Sequence, residues 1–482
     1  MTASNLIAIL PLLVVAVAAV VVMLATTWSS RSSLAAGGTM LGLGVALITL
    51  LFAAGVAPRQ VTPLLRIDRY GLFYLGLILA AGLAVVGLSF DYLERRGAKQ
   101  GTFHVLLLLG ILGAGGLVTA THLASFFLSL ELLSVSLYAL IAYTGTDGRA
   151  LEAGLKYLVL AGASSAFLLF GMALIYAEAG TLEFSGIGAM AGGGRLQTIY
   201  ALAGLGLMLS GIGFKLAVVP FHLWTPDVYE GAPAPVAAFV ASVSKGAVFA
   251  LLLRYFTEAN AYDVGPVRLV LILIAVASML AGNLLALLQE NVKRLLAYSS
   301  IAHLGYLLVA FLAAGSRAAE AVTAYLVAYI VAILGAFGVI AILSGPDRDA
   351  DFLADYRGLF WRRPGIACAF TAMLLSLAGI PLTAGFVGKF YVLSAGVGSA
   401  LWLLVLVLVL GSVLGLFYYL RIVVVMLMTP SAERAEDGRA ARPRLVPASG
   451  VVLTLLLLLL LWFGVYPTPF LRLIEEAVVS LT

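Results

Sequence analysis

Five ionisable side chains stand inside runs of the sequence that are otherwise apolar. Lys215 sits in the run Tyr200–Val219, which ends at Pro220 with His222 just beyond. Lys245 lies in the next run, beginning near Pro235. Glu131 is carried by Phe126-Phe-Leu-Ser-Leu-Glu-Leu-Leu-Ser-Val-Ser136, and Lys156 stands near the start of the run after it. Lys389 follows Gly379-Ile-Pro-Leu-Thr-Ala-Gly-Phe-Val-Gly388. A charged side chain at the centre of a membrane helix costs roughly 3 kcal/mol on insertion scales, so it is seldom idle. Taken out of water, a lone carboxyl or amine is driven toward its neutral form, and a nearby opposite charge holds it ionised. A row of amines with one carboxylate can therefore pass protons, because moving one charge changes the proton affinity of the next site.

Each of these residues also has a plainer reading. Lys156 lies close enough to a helix end for its ammonium to reach the interface, and Arg421 is read the same way. Glu131 and Lys215 alone would make a structural ion pair, although buried pairs seldom add stability over apolar residues. Lys245 and Lys389 have no acidic partner in their own runs. His222 and His303 could pass protons near neutral pH or be hydrogen-bonded structural residues. Asp227 and Glu230 read as turn-formers. The run Gly192-Gly-Gly194 has neither a preceding strand nor a following Lys-Ser/Thr, so it is no phosphate cradle. No metal-ligand spacing, nucleophile elbow or dinucleotide fingerprint is present.

The elements that hold these residues follow from composition. With 63% apolar and 11% charged residues among 482, the sequence is that of an all-α polytopic membrane protein rather than a soluble domain. Apolar runs of about 20 residues recur, each long enough to cross ~30 Å of hydrocarbon. Fourteen spans are expected, the seventh over about 200–222 and the twelfth over about 366–394. The first run, Leu6 to Leu24, exceeds a signal-peptide core and is expected to be retained. The net charge of +5 calls for no nucleic acid, since cytoplasmic loops collect Lys and Arg. The single cysteine, Cys368, excludes an internal disulfide and an iron–sulfur cluster held by this chain alone. The last stretch, Thr468–Thr482, is amphipathic and expected at the membrane surface.

Loop charge gives an orientation. Odd-numbered loops hold Arg31, Arg95, Arg96, Lys99, Arg149, Lys293, Arg294, Arg348, Arg357, Arg362, Arg363, Arg434, Arg439, Arg442 and Arg444. Even-numbered loops and the C-terminus hold only Arg59, Arg66, Arg69, Arg195, Arg254, Arg268, Arg317 and Arg472. The bias puts the odd loops in the cytoplasm and both termini on the periplasmic side of the inner membrane. Pro220 near the end of the seventh span and Gly379, Pro381 and Gly385 within the twelfth mark two broken helices. Freed carbonyls at such breaks favour a wet cavity. They stand five spans apart, as expected of two inverted five-helix repeats. The organisation is then an N-terminal three-helix segment (1–102), a first repeat (103–257), a second repeat (258–428) and a tail with the last span (429–482).

Three stretches carry a family resemblance. Trp224-Thr-Pro-Asp-Val-Tyr-Glu-Gly-Ala-Pro-Ala-Pro-Val236, followed by Ser244-Lys245, closely resembles a segment of the antiporter-like membrane subunits of bacterial NADH–quinone oxidoreductase (respiratory complex I), the N-subunit family above all. Lys293-Arg-Leu-Leu-Ala-Tyr-Ser-Ser-Ile-Ala-His-Leu-Gly-Tyr306 and Gly379-Ile-Pro-Leu-Thr-Ala-Gly-Phe-Val-Gly-Lys-Phe390 are similar to the same family, so the resemblance runs from the third span to the thirteenth. It implies a subunit that moves protons while quinone is reduced elsewhere in the complex. It also implies that Glu131 and Lys215 match the family's glutamate–lysine pair, Lys245 its central lysine and Lys389 its distal lysine. A lysine at the last place fits the N and L subunits; the M subunit carries glutamate there. The L subunit's long lateral helix is not expected, since the sequence ends at Thr482. NADH, flavin (FMN), iron–sulfur clusters and quinone would belong to partner subunits, with M and K as neighbours. Related sodium/proton antiporter subunits share the intramembrane lysines but not Trp-Thr-Pro-Asp-Val-Tyr-Glu-Gly, and a scaffold carrying no protons would not need four buried charges.

Overall fold

The structure, a computed structural model, describes residues 2–28, 32–144, 148–191, 195–429 and 447–481. Arg31, Arg434, Arg439, Arg442 and Arg444 of the loop-charge argument, and the Gly192–Gly194 run, lie outside the described residues. With no water in hydrocarbon, each span must satisfy its own backbone, so these apolar runs are helices. They are α1 (Ala3–Trp28), α2 (Ser32–Ala54), α3 (Arg69–Arg95), α4 (Gln100–Thr119), α5 (Leu123–Ile141), α6 (Gly148–Ala179) and α8 (Ile199–Leu216). The chain continues through α10 (Ala234–Phe239), a π-helical segment (Val240–Ser244), α11 (Lys245–Glu258), α12 (Gly265–Leu287), α13 (Val292–Ala313) and α14 (Ser316–Leu343). It closes with α16 (Pro364–Ala378), α17 (Ala384–Gly398), α18 (Trp402–Leu427) and α19 (Pro447–Val465). Among the described residues thirteen helices are long and apolar enough to span a membrane, counting Ala234–Glu258 as one, and α16 with α17 forms the broken fourteenth.

Short elements that periodicity does not reveal join the spans. A two-stranded antiparallel hairpin, β1 (Arg59–Thr62) and β2 (Leu65–Ile67), precedes α3. The helices α7 (Phe184–Ala191), α9 (Trp224–Gly231) and α15 (Leu359–Arg362) lie between spans. The amphipathic tail forms α20 (Thr468–Val478), whose Ile474, Ala477 and Val478 pack inward beside α3 and α14.

The centre of the bundle is the segment 234–258 with α13 and α14, each buried along nearly all its length. The outer helices show apolar side chains such as Leu41, Leu51, Val159 and Phe417 to the lipid. α14 is the axis, touching α3, α10, α13, α16, α17 and α19. Two close crossings repeat in the chain. A Cβ on Gly113 of α4 would fall 2.6 Å from the backbone nitrogen of Leu133 in α5, and one on Gly282 of α12 2.6 Å from that of Ala302 in α13. Both partners shift by the same 169 residues (113 to 282, 133 to 302), and small residues at such contacts let membrane helices approach closely.

Both expected breaks are present, the first displaced. α8 stops at Leu216, where Ala217 turns left-handed with φ 61°, so the helix ends before Pro220 and resumes only at α9. In the twelfth span Gly379 (φ 87°) ends α16, and helix resumes at Ala384. Two residues counted above as loop charges are interior. Lys293 is 1% exposed, and Arg254 is fully buried on α11. Arg254 holds Asp68 through Nη1–Oδ2 at 2.6 Å and Nη2–Oδ1 at 2.8 Å. Asp68 also caps α3, accepting from the Gly71 amide at 2.7 Å, and Arg66 from the hairpin closes the cluster on Asp68 and Glu258. Breaking a buried pair from one side typically costs ~3–5 kcal/mol, whereas replacing both partners with apolar residues is often tolerated. Asp68→Ala is therefore expected to lower the thermal unfolding midpoint sharply in detergent, and Asp68→Leu with Arg254→Met to recover much of it. Equal midpoints for the single and double variants would refute this.

Candidate functional site

The three buried lysines in the middle of the bundle, Lys215, Lys245 and Lys389, are each met by an uncharged acceptor. Lys215 lies in the last turn of α8, 3% exposed, where the missing next turn leaves room for its side chain to run toward α5. Its Nζ donates to Ser134 Oγ at 2.7 Å and sits 5.6 Å from the Tyr157 ring centre. Glu131, one turn before Ser134 and half-buried, instead accepts from the Ser165 hydroxyl of α6. The expected carboxylate–ammonium pair is thus not in direct contact: Ser134 takes the ammonium and Ser165 serves the carboxylate. Trp224 covers the break, its indole Nε1 donating at 2.9 Å to the Phe214 carbonyl, which the Ala217 amide also caps at 3.0 Å.

Lys245, fully buried, follows the π-helical segment, a local widening of the backbone often found at functional positions. Its Nζ donates to Ser300 Oγ of α13 at 2.6 Å and lies 5.2 Å from the Tyr229 ring centre. Ser300 also shares a hydrogen bond of 2.6 Å with the Tyr329 hydroxyl. His303, one turn further along α13, contacts the Tyr325 hydroxyl through Nδ1 at 2.5 Å and the Tyr419 hydroxyl through Nε2 at 3.2 Å. The imidazole lies against the rings of Tyr329 (5.3 Å) and Tyr306 (5.5 Å). Tyr306 accepts from Asn283 Nδ2 at 2.9 Å, and Asn283 Oδ1 accepts from Tyr418 at 3.2 Å. Lys389 of α17 sits 5.2 Å from the Tyr306 ring centre and donates to the Ala378 carbonyl at 2.8 Å, an acceptor that exists because α16 ends there. A polar seam thus runs from Lys245 through Ser300, Tyr329, His303 and Tyr306 to Lys389.

The remaining candidates lie outside this seam. Lys156 is 43% exposed and paired with Glu152 (2.7 Å) and Asp227 (2.8 Å). His222 is buried in the break after α8, and its Nδ1 has no hydrogen-bond partner among the described residues. Arg421 does not reach for the interface; it donates to the Leu287 carbonyl at 3.1 Å and to that of Gln289, ending α12. Asp227 and Glu230 are not turn-formers but helical residues of α9, both bound to Arg294 at 2.9 and 2.8 Å. Among the described residues no three His, Cys, Asp or Glu side chains form a metal-holding group. The sequence reading missed the hydroxyls of the seam. Their signal was present in Tyr298-Ser-Ser-Ile-Ala-His-Leu-Gly-Tyr306, where Ser299, Ser300, His303 and Tyr306 recur at helical spacing in an apolar run.

Residues 120–415 match the family described as NADH:quinone oxidoreductase/Mrp antiporter, TM. NADH-quinone oxidoreductase subunit N of Ectopseudomonas mendocina (strain ymp) is 53% identical, over 99% of this chain and 97% of that protein. A chain of respiratory complex I from Thermus thermophilus with bound aureothin superposes with a TM-score of 0.81 at 33% identity, covering 96% of this chain and 98% of that one. A chain of the Mrp complex from Dietzia sp. DQ12-45-1b gives 0.87 at 22% identity, covering 100% and 98%, which speaks to the fold alone. The family match takes in Glu131, Lys215, Lys245, Lys389 and both broken helices, and this chain belongs to the NADH:quinone oxidoreductase/Mrp antiporter family of membrane subunits.

Proposed function

We propose that this chain is the N-type antiporter-like subunit of a bacterial NADH–quinone oxidoreductase and carries protons across the inner membrane while quinone is reduced elsewhere in the complex. The observation that carries the reading is the continuous seam of hydroxyl and imidazole groups from Lys245 to Lys389 through the middle of a mostly apolar bundle. Lys215, biased by Glu131, passes charge to Lys245, and His303 with its tyrosines bridges to Lys389. His222 and Lys156 flank the path rather than lie on it. The first half of the path belongs to residues 103–257 and the second to 258–428, with 1–102 and 429–482 enclosing them. Its partners are other subunits of the complex, with M and K as neighbours; FMN, the iron–sulfur clusters and the NADH and quinone sites belong to partner subunits rather than to this chain. Both termini face the periplasm.

Lys215→Ala and Lys215→Arg should each cut proton pumping roughly tenfold or more in an assembled complex, because guanidinium does not release a proton in this pH range. An assembled Lys215→Arg complex pumping at the wild-type rate would sink the relay. Lys389→Ala should lower pumping in reconstituted vesicles and Lys389→Glu should keep part of it, since a carboxyl there can also exchange protons. Normal pumping by Lys389→Ala would confine the path to the first half. For orientation, Cys368 is first replaced, and cysteines are placed at the exposed Gln197 and Asp347. An impermeant thiol reagent on intact cells should label the first and spare the second; the reverse pattern would invert the topology.

A further inference from the structure

A second set of buried charges lies at the end of the bundle where α3 finishes and α13 begins, and the seam does not use it. Lys293 Nζ donates to Asp349 Oδ2 at 2.7 Å and to the Ala232 carbonyl at 2.8 Å. Asp349 is saturated, its Oδ1 also receiving Arg96 and the Tyr92 hydroxyl, each at 2.7 Å. Asp351, two residues on, is 3% exposed, yet its Oδ1 accepts no hydrogen bond from the described residues. Lys293 stands 3.7 Å from that oxygen, and Arg149, half-exposed on α6, stands 3.9 Å from Oδ2. Glu230 of α9 adds a further negative charge on this side.

We propose that Asp351 is a proton-exchanging carboxylate that supplies Lys293, and through it the Lys245 seam, with Asp349 as the fixed counter-ion. The two carboxyls differ because their surroundings differ. Burial pushes Asp351 above the usual carboxylate range, and Lys293 offsets only part of that. Burial acts on Asp349 in the same sense, but Lys293 and Arg96 outweigh it and hold that carboxyl below the range. Neighbouring carboxyls pushed apart in this way divide into one that stays ionised and one that exchanges. Hydronium at the Arg149 rim gives a proton to Asp351, forming an O–H bond and leaving water. Once Lys293 has released a proton inward, Asp351 returns one to the amine; the O–H bond breaks and an N–H bond forms. Ser300, which holds Lys245, lies seven residues along the same face of α13, about 10 Å from Lys293 along the axis.

The inference rests on the proton-path reading, so the test carries a control for that reading. Whole complexes with Asp351→Asn, Asp351→Glu, Asp349→Asn and Lys245→Ala are reconstituted, and pumping is measured against pH. The infrared band of a protonated carboxyl is followed in parallel. Asp351→Asn should lose most of its pumping and the carboxyl band, and Asp351→Glu should restore both with a shifted band. Asp349→Asn should reduce assembly and leave the band in place. Wild-type pumping by Asp351→Asn across the pH range, with Lys245→Ala inactive, would overturn the assignment; normal pumping by Lys245→Ala would overturn the proton path itself. If Asp351→Asn fails to assemble, the Asp351→Glu spectrum decides: an unshifted band refutes the proposal.

Discussion

An ammonium group inside a membrane bundle must be given hydrogen-bond acceptors, and much of this fold's irregularity answers that requirement. An unbroken helix has no carbonyl to spare in its interior, because each is taken by the amide four residues on. Ending α16 at Ala378 frees one, and Lys389 takes it. Ending α8 at Leu216 frees others; Trp224 and the Ala217 amide cap the Phe214 carbonyl, while Lys215 turns to a serine of α5. The same solution appears in reverse at the second break, where the Gly385 amide donates to Ser376 Oγ at 3.0 Å. There a Cβ would fall 1.8 Å from the Ser376 carbonyl oxygen, so the two halves of the twelfth span can meet only through glycine. Interruption, capping and lysine placement are one arrangement.

The acceptors also divide the molecule's charges into two kinds. In the middle of the bundle Lys215, Lys245 and Lys389 are held by Ser134, Ser300 and a backbone carbonyl, all neutral. At its ends Arg254 meets Asp68, Lys293 meets Asp349, and Arg294 meets Asp227 and Glu230. An ion pair pins both partners, since removing either charge strands the other in a poorly solvated place. A serine or carbonyl leaves no charge behind when the amine gives up its proton. The clusters around Arg254 and Arg294 therefore fix the helices, while Lys293 stands 3.7 Å from a second carboxylate, Asp351, and the neutral acceptors of the central lysines impose no such constraint.

Much of this was legible in the sequence because the signals are strong ones. Long apolar runs admit few structures in hydrocarbon, so fourteen spans could be counted before any helix was seen. Lysines within those runs stand out by type alone. What stayed hidden depends on contacts between distant segments. Asp68 and Arg254 are 186 residues apart, and each alone looks like a loop charge. Tyr229, Tyr325, Tyr329 and Tyr419 read as ordinary aromatic residues of apolar helices until α13 is placed among them. Pro220 drew attention to the first break but does not cause it, since α8 has already ended at a left-handed alanine. The π-helical segment before Lys245 left no mark in periodicity, because one widened turn barely shifts the pattern.

The 169-residue register that relates the Gly113 and Gly282 crossings extends to the chemistry. Carried from α5 to α13, it sets Glu131 against Ser300 and Ser134 against His303. In the first half these two positions present a carboxylate and a hydroxyl beside Lys215; in the second they present a hydroxyl to Lys245 and an imidazole beyond it. The same pair of helix positions is thus used twice with different residues. The first half places a carboxyl side chain, Glu131, one helical turn from the serine that holds Lys215. At the same two positions the second half has no acidic side chain, and His303 stands there within the seam that runs from Lys245 to Lys389. Two like charges ~10 Å apart at an effective dielectric of ~20 repel by about 1.7 kcal/mol, a little over a tenfold bias in proton affinity. A bias of that size moves a proton onward only where the next site is not already pinned. The replacement of Glu131 by Ser300 in the second half meets that condition.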